Sequence, residues 1–182
     1  MIQLVQGNII NQEVDAIVNA ANQPLYVGHG VDGAIHDAAG PSVHMETAAN
    51  YPDGCPTGSA VPTAAGNLPV KHIFHAVGPV WYGGDGGERE KLHSAFTKCM
   101  ELAVEHECKS IAFPAISTGV YGYPMKEGAE VAIEAVMHFL KSHKMLGGDD
   151  ILVRFVLWDK PSYDVWDEVL HEVLKRDADD NQ

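Results

Sequence analysis

The run Ile111-Ala112-Phe113-Pro114-Ala115-Ile116 is almost wholly apolar, as expected of a strand covered on both faces. Such a strand needs a layer of structure above and below it, and the flanking segments can supply one. Across residues 88–107, Leu92, Ala95, Phe96, Cys99, Leu102 and Ala103 recur at helical spacing, so one face of that segment meets a sheet. Strands are expected near residues 2–6, 16–19, 59–64, 73–77, 110–114 and 152–158. Helices are expected near 31–39, 42–49, 88–107, 126–143 and 163–175. This alternation predicts an α/β fold, a three-layer α/β/α sandwich with ligands outside the carboxyl ends of the strands.

The glycine-rich stretches at 83–87 and 147–150 are too short for interdomain linkers, so residues 1–176 are expected to form one domain. Residues 177–182 read as an acidic tail that frays. With 25 acidic and 12 basic residues, the net charge of −13 argues against non-specific nucleic-acid binding, which needs clustered Lys and Arg. An anionic ligand must therefore be held by backbone amides and local dipoles. Cys55, Cys99 and Cys108 form no C-x-x-C pair and read as free, reduced thiols. No signal core and no membrane-spanning run is evident, and a monomeric cytoplasmic protein is expected.

Residues 19–40, N-A-A-N-Q-P-L-Y-V-G-H-G-V-D-G-A-I-H-D-A-A-G, join a strand end, a glycine-bearing turn and a helix start. Backbone N–H groups at such a junction suit a phosphate. Gly28, His29, Gly30 and Val31 make the turn, and a second loop, Ser117-Thr118-Gly119-Val120-Tyr121, follows the apolar strand. Either loop alone is ordinary turn chemistry; together they could clamp a pyrophosphate.

Asp32 and His36 lie four residues apart, on one helical face. Asp32 either complements the helix dipole or orients or deprotonates a water beside bound phosphates. A phosphate would raise its pKa and the helix N-terminus would lower it. His36 is either a packed polar residue or a partner of that water, the ligand or Asp32. Asn19 and Asn22 flank two alanines; an amide suits paired ribose hydroxyls, and Asn also suits turns. Trp158 could stack on a purine or cover the sheet edge. Metal chemistry is not expected: His72 and His75 fall on opposite faces of a strand, and no cysteine has zinc-ligand spacing. Cys55 reads as a packing residue before a nucleophile.

These segments, in this order, resemble the macrodomain family and its MacroD-like branch of ADP-ribose hydrolases. The matching stretches are Gly7-Asn8-Ile9, residues 14–40, Cys55-Pro56-Thr57-Gly58-Ser59-Ala60, His75-Ala76-Val77-Gly78-Pro79 and residues 116–124. The resemblance implies a mixed central sheet and ADP-ribose in a cleft at the strand ends. It implies that Asn8 and Ile9 meet the adenine edge, that Trp158 faces its ring and that Asn22 binds the distal ribose. Residues 28–31 would wrap the diphosphate and distal ribose from one side and residues 117–121 from the other, with Asp32 acting on the water and His36 beside it. Two departures stand out. Asn8 occupies a position where the family usually has an Asp, losing charge assistance to the adenine amino group. His29 interrupts the usual glycine run, at a cost of about a kilocalorie or more if its φ must be positive; the alternatives are an outward imidazole or one beside the diphosphate.

The leading expectation is hydrolysis of ADP-ribosyl esters by an ordered water, with no cofactor. Mono-ADP-ribosyl-Glu/Asp on proteins, O-acetyl-ADP-ribose or both would be substrates. The alternatives are a non-catalytic ADP-ribose reader and, less in keeping with the charge, an RNA-associated regulator.

Overall fold

Six strands and five α-helices succeed one another in the computed structural model, which describes residues 1–181. In chain order they are β1 (Ile2–Gln6), β2 (Ala16–Ala21), α1 (Gly30–Ala39), α2 (Pro41–Asn50), β3 (Ala60–Thr63), β4 (His72–Val77), α3 (Glu88–Glu105), β5 (Ser110–Pro114), α4 (Met125–Met145), β6 (Leu152–Leu157) and α5 (Lys160–Asp180). A 3-10 turn, Ile9–Asn11, follows β1. The strands form one mixed sheet in the order β1-β6-β5-β2-β4-β3. All its pairings are parallel except that of β3, which runs antiparallel to β4. Pro62 sits in β3, an edge strand, where a missing N–H costs no ladder bond on the open side.

Two-residue alternation sorts the side chains onto two faces. Val18, Phe74, Ile111, Phe113, Val153 and Phe155 point into a core shared with α3, α4 and α5. Ile17, Ile73, Ala112 and Val156 point the other way, onto Ile35 and Ala39 of α1 and Val43 of α2. The larger core is aromatic at its centre, with Phe113 5.2 Å from Phe96 and 5.6 Å from Phe155, which in turn lies 5.0 Å from Trp166. This is the three-layer α/β/α sandwich.

The sheet also determines where a ligand can enter. From β2 the chain goes on to strands on one side, and from β5 it goes to β6 on the other. The carboxyl ends of β2 and β5 therefore flank a topological switch point. These two strands pair only at Ala16↔Ile111 and Ile17↔Ala112, whereas β2 stays paired with β4 as far as Ala21↔Val77. Beyond Ile17 the two central strands part, and a crevice opens between them.

Two expectations at the C-terminal end need correction. β6 stops at Leu157, so Trp158 does not cover the sheet edge; it is 74% exposed. The tail does not fray at residue 177, because α5 continues to Asp180. Asp177 pairs with Lys141 of α4, and Arg176 reaches Glu130 and Glu134, so α4 holds the last turns in place. Among the described residues no helix is long and apolar enough to cross a membrane.

Replacing Phe155 by Ala should lower unfolding free energy in urea by about 3–5 kcal/mol, since three aromatic rings lose their common neighbour. A loss under about 1 kcal/mol would contradict this account of the core.

Candidate active site

Asn19 in β2 and His75 in β4 are directly opposite in the parallel register. Each lies two residues beyond an isoleucine of the α1-facing set, so both side chains point toward α1. There Asp32 and His36, one helical turn apart, complete a buried polar cluster. Asn19 Nδ2 donates to Asp32 Oδ1 at 2.6 Å and lies 3.1 Å from His75 Nδ1. His36 Nε2 stands 3.3 Å from the same Asp32 oxygen, and its ring stacks 6.0 Å from that of His75. Asp32 Oδ2 accepts from the Gly28 N–H at 2.6 Å. On the far side of His75, Nε2 is 2.9 Å from Thr63 Oγ1.

Burial pushes the Asp32 carboxyl up, but hydrogen bonds from His36, Asn19 and Gly28 outweigh it and hold the group below its ordinary 3.8. Asp32 is therefore a carboxylate near neutrality. A lowered pKa makes it a weak base, while its charge keeps it a charge-assisted acceptor, suited to orienting a water more than to deprotonating one.

A cleft of about 510 Å³ opens at the switch point, walled by residues 20–22, 28–32, 78, 115–117 and 119–121. The two loops singled out from sequence thus form its opposite sides. α1 begins here without a side-chain cap, so N–H groups of its first turn are free to meet an anion. Opposite, Ser117 has a φ of +67° and a buried hydroxyl without a partner, and packs so close to Gly78 that a Cβ there would meet Ser117 Oγ at 2.2 Å. The tail of that loop is tied down by Trp81 N–H donating to the Tyr121 carbonyl at 2.8 Å.

Gly28, His29, Gly30, Val31, Asp32, Asn22, Ser117, Gly119, Val120 and Tyr121 all contribute to the wall. Asn22 lies in the wall, but its amide closes its own loop, donating to the Tyr26 carbonyl and accepting from the Tyr26 N–H, both at 2.9 Å. His29 is exposed on the cleft with φ −107°, so it carries no left-handed strain; Gly30 takes the positive φ, +62°, instead.

Other residues singled out from sequence lie outside this wall. Asn19 is wholly buried and faces Asp32 and His75, so it supports the carboxylate and does not face a ribose. His36 lies behind Asp32, outside the cleft wall. Thr118 turns its methyl toward Gly128 of α4. Asn8 caps the 3-10 turn, its carbonyl accepting from Ile10 N–H at 3.2 Å, and Ile9 packs in the core under α1. Neither they nor Trp158 belong to the wall, which ends short of them. Sequence reasoning did not single out His75, Thr63 or Gly78 as functional. For His75 the signal was strand alternation from Ile73, which aims it at the same helix as Asn19. All three cysteines are free and buried, and burial pushes the Cys55 thiol up, away from nucleophilic use.

The model of the Macro domain family matches residues 18–132 of this chain, from within β2 through both cleft loops to the start of α4. The chain belongs to the Macro domain family. Similar proteins include a macro domain-containing protein of Caldanaerobacter subterraneus, 47% identical over 96% of this chain and 98% of that one. A protein of Enterobacter sp. named O-acetyl-ADP-ribose deacetylase is 45% identical over 93% of each. Among solved structures, a variant of the Oceanobacillus iheyensis macrodomain with ADPR is 37% identical, with a TM-score of 0.87, over 96% of this chain and 94% of that one. In this macro domain, then, the polar cluster stands directly behind the cleft.

The cluster has a signature in acid. Burial lowers His75 from 6.5 to about 4, so the unfolded chain takes up that proton first as the pH falls. The stability tied to His75 is therefore complete above pH 6.5 and lost progressively as the pH falls toward 4. Asp32 acts with the same sign at lower pH, its contribution present above 3.8 and lost below. Urea unfolding measured across pH 7 to 4 should show roughly 3 kcal/mol more acid loss in the wild type than in His75→Gln. Equal slopes would mean that His75 titrates like an ordinary histidine.

Proposed function

We propose that this macro domain binds ADP-ribose and hydrolyses esters of it, O-acetyl-ADP-ribose or mono-ADP-ribosylated Glu and Asp side chains of proteins. One observation carries the reading: Asp32, an anchored carboxylate, lines the cleft at the uncapped start of α1. Relatives named O-acetyl-ADP-ribose deacetylase, about 45% identical over most of the chain, support the activity. The relative solved with ADPR supports the ligand.

In this reading the free N–H groups at the α1 start and the 117–121 loop hold the diphosphate. Asn22 keeps one amide hydrogen and one carbonyl lone pair beyond its bonds to Tyr26, enough to meet two hydroxyls of the distal ribose. Exposed Trp158, just past β6, stacks on the adenine from outside the wall, and Asn8 and Ile9 follow Gly7, whose N–H donates to the Leu157 carbonyl at 2.9 Å. The remaining lone pair of Asp32 Oδ2 orients one water toward the ester. Water adds across the ester bond, yielding a carboxylic acid and a free ribose hydroxyl. Positioning rather than basicity does most of the catalysis, since correct placement alone lowers a barrier by roughly 7–11 kcal/mol. His36 steadies Asp32 from behind. The imidazole of His29 meets the ligand from the cleft rim.

The test follows release of ADP-ribose from a glutamate-ADP-ribosylated protein and of acetate from O-acetyl-ADP-ribose, beside calorimetric ADP-ribose binding. Asp32→Ala should lower kcat by about a hundredfold or more while ADP-ribose affinity stays within about tenfold. Tight binding without wild-type turnover would leave a reader, and neither binding nor turnover would refute both. Full activity in Asp32→Ala would refute its role.

A further inference from the structure

The polar chain behind the cleft can be satisfied in one direction. With its only hydrogen turned to the Ala64 carbonyl at 2.8 Å, Thr63 Oγ1 accepts from His75 Nε2 at 2.9 Å, the role that the Asn19 amide nitrogen facing Nδ1 also requires. Nε2 must then carry the imidazole proton. Burial keeps the ring neutral near pH 7, so Nδ1 is a bare lone pair. That lone pair lies 3.1 Å from Asn19 Nδ2 and accepts one of its two hydrogens. The other goes to Asp32 Oδ1.

Turning the Asn19 amide over would bring its carbonyl oxygen against a carboxylate oxygen and an imidazole lone pair, two repulsions in place of two bonds. In the observed orientation Asn19 Oδ1 is buried without a partner. The amide is thus held by what its nitrogen donates to, at the expense of its own carbonyl.

We infer that the hydroxyl of Thr63, acting through the Nε2–H tautomer of His75, fixes the Asn19 amide and so the place of the Asp32 carboxylate in the cleft. Thr63 and His75 are positioning residues: neither lines the cleft, and each acts through its neighbour. The effect on rate rests on the hydrolase reading above; the tautomer does not.

Thr63→Val keeps the shape and removes the hydroxyl, while Thr63→Ser keeps the hydroxyl and removes a methyl. Ring nitrogen shifts of His75, read by long-range proton–nitrogen NMR, report the tautomer directly. The wild type and Thr63→Ser should show Nε2–H, and Thr63→Val a mixture of tautomers. With O-acetyl-ADP-ribose, Thr63→Val should lose about tenfold or more in kcat with KM within about twofold, and Thr63→Ser should stay within about threefold of wild type. An Nδ1–H wild type overturns the inference without any variant. So does a Thr63→Val that keeps both tautomer and kcat, or a Thr63→Ser as impaired as Thr63→Val, which would mark packing as the cause. If the wild type turns nothing over, the proposed activity falls, and the tautomer in Thr63→Val still decides the inference.

Discussion

A carboxylate held mostly out of water must be supplied with hydrogen bonds, and Asp32 receives them from three elements at once. The amide of Asn19 comes from β2, the N–H of Gly28 from the loop that follows it, and His36 from the next turn of α1. Leaving such a charge unpaired is far costlier than pairing it. The demand of one side chain therefore fixes how α1 sits over the sheet and how tightly the 22–28 loop closes. Gly28 is part of the same constraint: a Cβ there would lie 3.0 Å from Asp32 Oδ2.

The sheet supplies the space. Because β2 and β5 separate after Ile17↔Ala112, the loops that leave them stand apart and face each other across the cleft. One wall offers a helix start without a cap; the other is a loop braced against Gly78 and Trp81. In the proposed reading a net charge of −13 is no obstacle to an anionic ligand, because oriented backbone dipoles would supply the attraction.

The elements were legible because their periodicity was: the apolar run around Phe113 became a central strand, and the spaced apolar face from Leu92 to Ala103 packs on the sheet. The cleft was legible in the two glycine-bearing loops, which form its opposite walls. It was misread where a side chain's direction mattered. An asparagine at a strand end suits a ribose as well as a carboxylate, and only alternation from Ile17 shows that Asn19 faces α1. With Gly28, Gly30 and Gly33 all nearby, sequence could not tell which residue takes the left-handed turn; it is Gly30, which leaves His29 unstrained. The end of α5 was missed because its hold on α4 is a long-range ion pair, invisible to local composition.

The site turns on the state of one carboxyl group, which can be observed directly. A carbon-13 NMR titration of the Asp32 carboxyl should find it ionising below 3.8, and the shift should move back up in Asn19→Leu, which removes one of its donors. A wild-type Asp32 that titrates at or above 3.8, or one indifferent to the loss of Asn19, would contradict the anchored carboxylate on which the site depends.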